Sequence, residues 1–263
     1  MLESVLFIIA LLASTIGAIV GAGGGVIIKP VLDMMGVLPV STVSFCSGCT
    51  VLGMSLFSLV KNRNNGVKLQ FKSSTLLAVG AVAGGLVGKA MFEIVRNGFG
   101  NENLLGAIQA VFLTVITFCV FLYVSNKDKL PSKNITNSFV IIIIGACLGI
   151  ISSFLGIGGG TSNVAVLFFF FSMEAKEAAK NSLYIIIFSQ LSSIISAVVT
   201  NSVPSFELTQ LAAMVIGGVG GAYIGALISE RINNAGVEKI LKVLLLCITA
   251  IDFYNVLNYT ILR

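Results

Sequence analysis

The chain has no histidine and little charge of either sign: 11 acidic and 16 basic residues among 263, or 10% in all. Without imidazole there is no histidine metal site, no metalloprotease helix motif and no histidine acid–base chemistry, so a membrane-embedded enzyme has little to work with. The cysteines are also few. All five (Cys46, Cys49, Cys119, Cys147 and Cys247) fall within apolar segments, where packing as small residues is the default and a disulfide framework is out of place. The net charge of +5 is spread over short loops, so it bears on orientation and anionic headgroups. No metal, cofactor or nucleic-acid partner is expected.

What is present is apolar. Hydrophobic residues make up 56% of the chain and the mean hydropathy is +1.02. Nearly uncharged stretches of about 20 residues, enough to cross the hydrocarbon core, recur along the whole length. The composition predicts an all-α, polytopic transmembrane helical bundle. The start, "MLESVLFIIALLASTIGAIV", has no basic residue before its apolar run and no small-residue cleavage site, so it reads as a first span that is retained.

Sliding the chain on itself by 135 residues brings Gly21, Gly23, Gly24 and Gly25 onto Gly156, Gly158, Gly159 and Gly160. At the same offset Ser47 meets Ser182, Ser55 meets Gln190 and Ser58 meets Ser193, a small polar stripe at helical spacing. With two extra residues Gly80, Gly84 and Gly88 meet Gly217, Gly221 and Gly225. A Gly-xxx-Gly-xxx-Gly ridge lets a second helix approach closely in lipid, where association rests on van der Waals contact. The chain therefore reads as two copies, 1–130 and 131–263, joined by the polar linker "SNKDKLPSKN". Each has an apolar run interrupted by glycines, about 3–38 and 138–173, and then three ordinary spans. These lie near 40–60, 73–95 and 104–125, and near 180–200, 207–229 and 239–261.

Two topologies follow. If each interrupted run crosses once, there are eight crossings and parallel copies, and the basic residues divide almost evenly. If the chain turns back at the glycines, the copies are inverted. One side then collects Lys61, Arg63, Lys68, Lys72, Lys127, Lys129, Lys133, Lys176, Lys180, Arg231, Lys239 and Lys242, leaving Lys89, Arg96 and Arg263 opposite. Twelve against three is the asymmetry expected of a membrane protein, and it favours inverted repeats with a cytoplasmic linker and both termini outside. The returning piece, 161–173, spans only about 20 Å as a helix.

Non-helical backbone at membrane depth is tolerated where protein or a wet cavity covers it, and two breaks at equivalent positions point to a substrate site. Glycine admits positive φ and removes side-chain bulk, so successive N–H groups can converge, and the helix restarting after the break offers an N-terminus that favours anions. This predicts an anion cradle from Gly23, Gly24 and Gly25 with Gly158, Gly159 and Gly160, to which Thr161, Ser162 and Asn163 add neutral donors. Tight turns alone would also explain either cluster singly; their recurrence favours the site. Neither cluster has the Gly-Lys-Ser/Thr of a phosphate-binding P-loop.

The paired Gly-x-Gly-Gly-Gly breaks, Pro30 after the first, "NSL" at 181–183 and the glycine-ridged third span of each half resemble the sulfite exporter TauE/SafE family of membrane permeases. The resemblance covers nearly the whole chain. It implies a secondary carrier of a small anion, typically a sulfur-containing one such as sulfite or an organosulfonate, in a bacterial inner membrane. The sequence departs from the family in having "CSG" at 46–48 where the first copy often has a Thr-Ser pair.

Other residues join the candidate site. Ser47, Asn181, Ser182 and Gln190 lie on the polar stripes, and neither Asn181 nor Gln190 can satisfy its amide within its own helix. Lys29, with Val164 as its counterpart, either binds the anion or extends its stem to an interface. Asp252, with Thr249 and Asn255 on the same face, is the candidate proton-coupling carboxylate or else a structural partner. Cys46 and Cys49 sit one turn apart, as packing residues or as thiol contacts to a sulfur substrate. The reading is a permease in which one anion binds between the breaks and the stripes and the repeats rock about it. A passive anion channel and a non-transporting scaffold are the competing classes.

Overall fold

The computed structural model describes residues 2–63, 65–99 and 102–262. Arg263, one of the three basic residues counted opposite the linker, lies outside them. Among the described residues there are ten α-helices and no strand. They are α1 (Leu2–Val20), α2 (Gly25–Met35), α3 (Val40–Lys61), α4 (Phe71–Phe99), α5 (Glu102–Asn126), α6 (Ser138–Leu155), α7 (Gly160–Phe171), α8 (Ala175–Val199), α9 (Leu208–Arg231) and α10 (Asn234–Leu257). Eight of these are long and apolar enough to cross a membrane; α2 and α7, of 11 and 12 residues, are the short ones. The chain is an all-α, multi-pass membrane protein.

The helix ends follow from local chemistry. At the end of α6, Gly156 takes φ 67°, a left-handed value, and its N–H returns to the Ser152 carbonyl. Gly21 takes φ 73° after α1. An L side chain is strained in that conformation, which is why both long apolar runs stop at glycine. The start of α6 is set by Asn137, whose side chain accepts from the N–H groups of Phe139 and Val140.

The packing exchanges elements between the two halves. On α9, Gly217, Gly221 and Gly225 lie against the carbonyls of Phe7, Leu11 and Thr15 on α1. On α4, Gly80, Gly84 and Gly88 lie against those of Ile142, Ala146 and Ile150 on α6. A β-carbon at any of the six would collide with backbone, so these ridges are where two helices touch main chain to main chain. The first helix of each half thus packs on the glycine-ridged helix of the other.

Residue contacts also give helix directions. Helices α1 and α9 run parallel, as do α4 and α6. Helices α3 and α8 run antiparallel: Gly48 lies beside Gln190, while Met54 clusters with Leu183. Helices α5 and α10 do likewise. Gly106 meets Tyr259, the Thr117 and Thr249 hydroxyls are 3.2 Å apart, and Lys127 pairs with Glu238. Helix α2 doubles back on α1, with Gly24 beside Ser14, and with Ile28 and Leu32 clustered with Leu6, Ala10 and Ala13. One end of the bundle gathers the loops after α3, α5, α7 and α9. There the Lys180 ammonium reaches Asn65 and the Val67 carbonyl, the Lys176 N–H donates to Asn234, and Ser172 donates to Ser132. At the other end Thr42 donates to the Ser205 carbonyl.

Candidate functional site

The two glycine breaks meet. The α-carbon of Gly160 is against the Ala22 carbonyl, and that of Gly25 faces the Ile157 carbonyl and the Ser47 hydroxyl. Helices α2 and α7 therefore both begin inside the bundle, with their N-termini close together. The space between them is filled. The Gly24 N–H donates to the Met54 thioether (3.1 Å), Ser182 donates to the Gly21 carbonyl (2.6 Å), and Val51 packs against both breaks. Polar groups are nonetheless left over here: the Ser14 and Ser47 hydroxyls and the Asn163 carbonyl oxygen are buried without a hydrogen-bond partner among the described residues. Native interiors contain few such atoms, and a cluster of them calls for a specific explanation.

Open space lies on either side of this constriction, in two narrow clefts. The first is lined by Ser41, Ser44, Lys89, Ser152, Gln190 and Ser193 among others, and runs from the starts of α3 and the ends of α4 and α8 down to Gly156. The second is lined by Ala18, Ser58, Asn62, Lys176, Lys180 and Ser229 among others, and opens at the end of the bundle that carries the linker. The repeat relates them. The 135-residue offset carries Ser58 onto Ser193, Asn62 onto Ala197, Ala179 onto Ser44 and Ala18 onto Ser153, all lining residues. Their cavity volumes are about 30 and 20 Å³, and a water needs roughly 10–15 Å³ on this measure. Each cleft has room for one or two waters.

Both clefts are polar, and lysines line the second. In the first, Gln190 donates to Ser152, the Ser44 and Ser153 hydroxyls are buried without partners, and Lys89 pairs with Glu93 at 2.7 Å. In the second, among the described residues, Lys180 is held by neutral oxygens, the Asn65 amide carbonyl and the Val67 carbonyl. The Asn62 carbonyl oxygen is buried there without a partner. Neutral donors with an uncompensated ammonium at the mouth suit an anion better than a cation.

The family can now be stated, because the match spans both breaks and both clefts. A family model described as "Sulfite exporter TauE/SafE" matches residues 6–251. The chain belongs to the sulfite exporter TauE/SafE family. A relative from Bacillus subtilis (strain 168), "Probable membrane transporter protein YunE", is 22% identical, with 93% of this chain and 94% of the relative covered. No solved structure matches significantly. The family is one of membrane transporters.

Of the residues singled out from sequence, Gln190 lines the first cleft. Gly23, Gly24, Gly25, Ser47, Gly158, Gly159, Gly160 and Ser182 form the constriction between the clefts. Asn163 lies in that region too, with its side chain beside Gly159. Thr161 is buried in the first turn of α7, and Ser162 faces an apolar groove between α5, α6 and α7. Asn181 is fully engaged: it accepts from Gln70 and Ser74 and donates to the carbonyls of Lys68 and Glu177, tying α8 to the start of α4. Cys46 packs with Leu6 and Ile28, and Cys49 is half-buried; neither lines a cleft. Lys29 is buried and paired with Asp33 at 2.9 Å. Asp252 lies beside that pair.

The sequence reading of this TauE/SafE protein missed Ser41, Ser44, Ser152, Ser153 and Lys89 in one cleft and Asn62 and Lys180 in the other. Ser44 and Ser153 have alanines, Ala179 and Ala18, at the equivalent positions, so a polar stripe shared by both halves does not include them.

Proposed function

We propose that this chain is a secondary carrier of a small anion, a sulfur oxyanion or organosulfonate, that works by alternating access. The carrying observation is the pair of clefts: equivalent by the repeat, opening at opposite ends, and separated by the meeting glycine breaks. In a carrier each cleft widens in turn while the other closes, and pseudo-equivalent halves give the two states nearly equal energy. The partnerless Ser47 and Asn163 oxygens and the N-termini of α2 and α7 then supply the binding groups at the centre as the constriction loosens. A main-chain cradle of this kind binds an anion without placing a fixed charge at membrane depth.

The helix directions support inverted repeats. Eight simple crossings with parallel copies would make α5 parallel to α10 and α3 parallel to α8, whereas both pairs are antiparallel. We place the linker end, where Lys61, Lys127, Lys176 and Lys180 lie, in the cytoplasm and both termini outside, in a bacterial inner membrane. Export of an anion is already favoured by an inside-negative potential, by roughly 2.3 kcal/mol per charge at 100 mV.

Purified protein in liposomes tests the reading with sulfite, thiosulfate, ethanesulfonate and acetate. The expected result is saturable flux of a sulfur anion, accelerated by the same anion on the far side. Large ionic currents that do not saturate would make the protein a channel, and absence of flux for all four would overturn the carrier.

A further inference from the structure

Three charges are shut inside the bundle where α2 packs on α10. Lys29, Asp33 and Asp252 are 1%, 6% and 1% exposed. The Lys29 ammonium is 2.9 Å from Asp33 Oδ2, one turn along α2. Asp252 comes from α10, where Asn255, one turn on, donates to the Pro30 carbonyl at 2.9 Å and holds that face of α10 against α2. The Asn255 contact to Pro30 brings Asp252 to the part of α2 that carries Lys29 and Asp33. Both Asp252 oxygens are buried without a hydrogen-bond partner. One ammonium balances one carboxylate, so the cluster has one acidic group too many for a site without water.

The fold does not require these charges. On α7 the counterparts of Lys29 and Asp33 are Val164 and Phe168, at the offset that aligns the glycine breaks. For α5 and α10 the relation is the 132-residue separation of the touching pair Thr117 and Thr249. It carries the contact of Gly106 with Tyr259 onto that of Lys127 with Glu238, and it places Val120 opposite Asp252. Half of the molecule builds the same architecture from valine and phenylalanine. An expensive cluster kept at one of two equivalent places only is a functional feature by default in a membrane protein.

We propose that Asp252 is a proton-binding site that couples proton movement to the anion, with Lys29 as the switch. When Asp252 holds a proton, the Lys29–Asp33 pair is neutral and the cluster carries no net charge. When the proton leaves, Lys29 is shared between two carboxylates and the cluster becomes an anion, which drives α2, and with it the first glycine break, toward water. In the carrier cycle Asp252 takes up its proton on the side where the anion binds and releases it with the anion on the far side, so that a monoanion moves without net charge. This coupling rests on the carrier reading above; the proton site itself does not.

Infrared spectroscopy of the protein in nanodiscs at neutral pH reads the site without any substrate. Wild type is expected to show a protonated-carboxyl stretch that Asp252→Asn removes. Asp33→Asn should also remove it, because Lys29 then has only Asp252 to pair with. Lys29→Met should about double it, since two carboxyls without an ammonium must both be protonated. No band in wild type, or a band unchanged in Asp252→Asn or Lys29→Met, overturns the proposal. If the variants do not fold, wild type still decides: a hydrophobic carbodiimide, which attacks protonated carboxyls, should modify Asp252, and peptide mapping without that adduct overturns the site. For coupling, liposomes with an acid exterior and clamped zero potential should accumulate ethanesulfonate or sulfite severalfold. Exchange without accumulation would overturn the coupling, and a carboxyl band without any flux would remove the carrier while leaving the proton site.

Discussion

The α-carbon of Gly160 rests against the carbonyl oxygen of Ala22, so that the break in one half of the chain is in contact with the break in the other. No side chain fits between them. Whatever moves one break must therefore displace its counterpart, which is what the proposed carrier needs of its two clefts.

Gly160→Ala places a methyl group on that carbonyl. Overpacking of this kind costs about 1–3 kcal/mol. A lowered melting temperature in detergent, with flux reduced more than the amount of folded protein, is the expected outcome. Wild-type stability and flux in this variant would mean that the breaks are not closely coupled.

The ridges make a separate prediction about assembly. Gly84→Val and Gly221→Val each drive a branched side chain into a facing backbone, at Ala146 and Leu11 respectively. Because the contacts are equivalent, the two losses should be similar, about 3 kcal/mol or more, and visible as aggregation on size-exclusion chromatography. Gly98→Val, on α4 with nothing near it, should leave assembly intact.

In the first cleft, Gln190→Leu keeps the volume and removes the amide. Flux of a bound sulfur anion should fall about tenfold, with a similar rise in the half-saturating concentration, as expected for one lost hydrogen bond to an ion. Unchanged kinetics would remove this cleft from the pathway.

Lys180 acts at the mouth of the second cleft. Lys180→Gln should raise the half-saturating anion concentration on that side roughly threefold, with the difference vanishing in high salt as screening removes the attraction. A salt-independent effect would instead report the lost contacts to Asn65 and Val67.

Topology can be read with single cysteines. In a background lacking the five native ones, Ser193→Cys and Ser58→Cys should react with an impermeant maleimide from opposite faces of the membrane, Ser193→Cys from the side of the termini. Reaction of both from one face would contradict inverted repeats, as would a C-terminal reporter active only in the cytoplasm.

The sequence by itself determined the class and the spans. Long apolar runs leave few alternatives in lipid, where the backbone must satisfy itself, and glycine spacing survives as a readable ridge because only glycine permits main-chain contact. The starts and ends of α3, α5 and α9 fall within a few residues of what hydropathy alone implies. The clefts were not legible: their walls come from α3, α4, α6 and α8 in one case, and a serine matched by an alanine in the other half carries no periodic signal. Nor was the Lys29–Asp33–Asp252 cluster. Lys29 and Asp33 are one turn apart, but Asp252 is more than two hundred residues away, and only the packing of α10 on α2 brings it to them. Local pattern specifies which residues must leave water; three-dimensional packing specifies which of them are left facing one another.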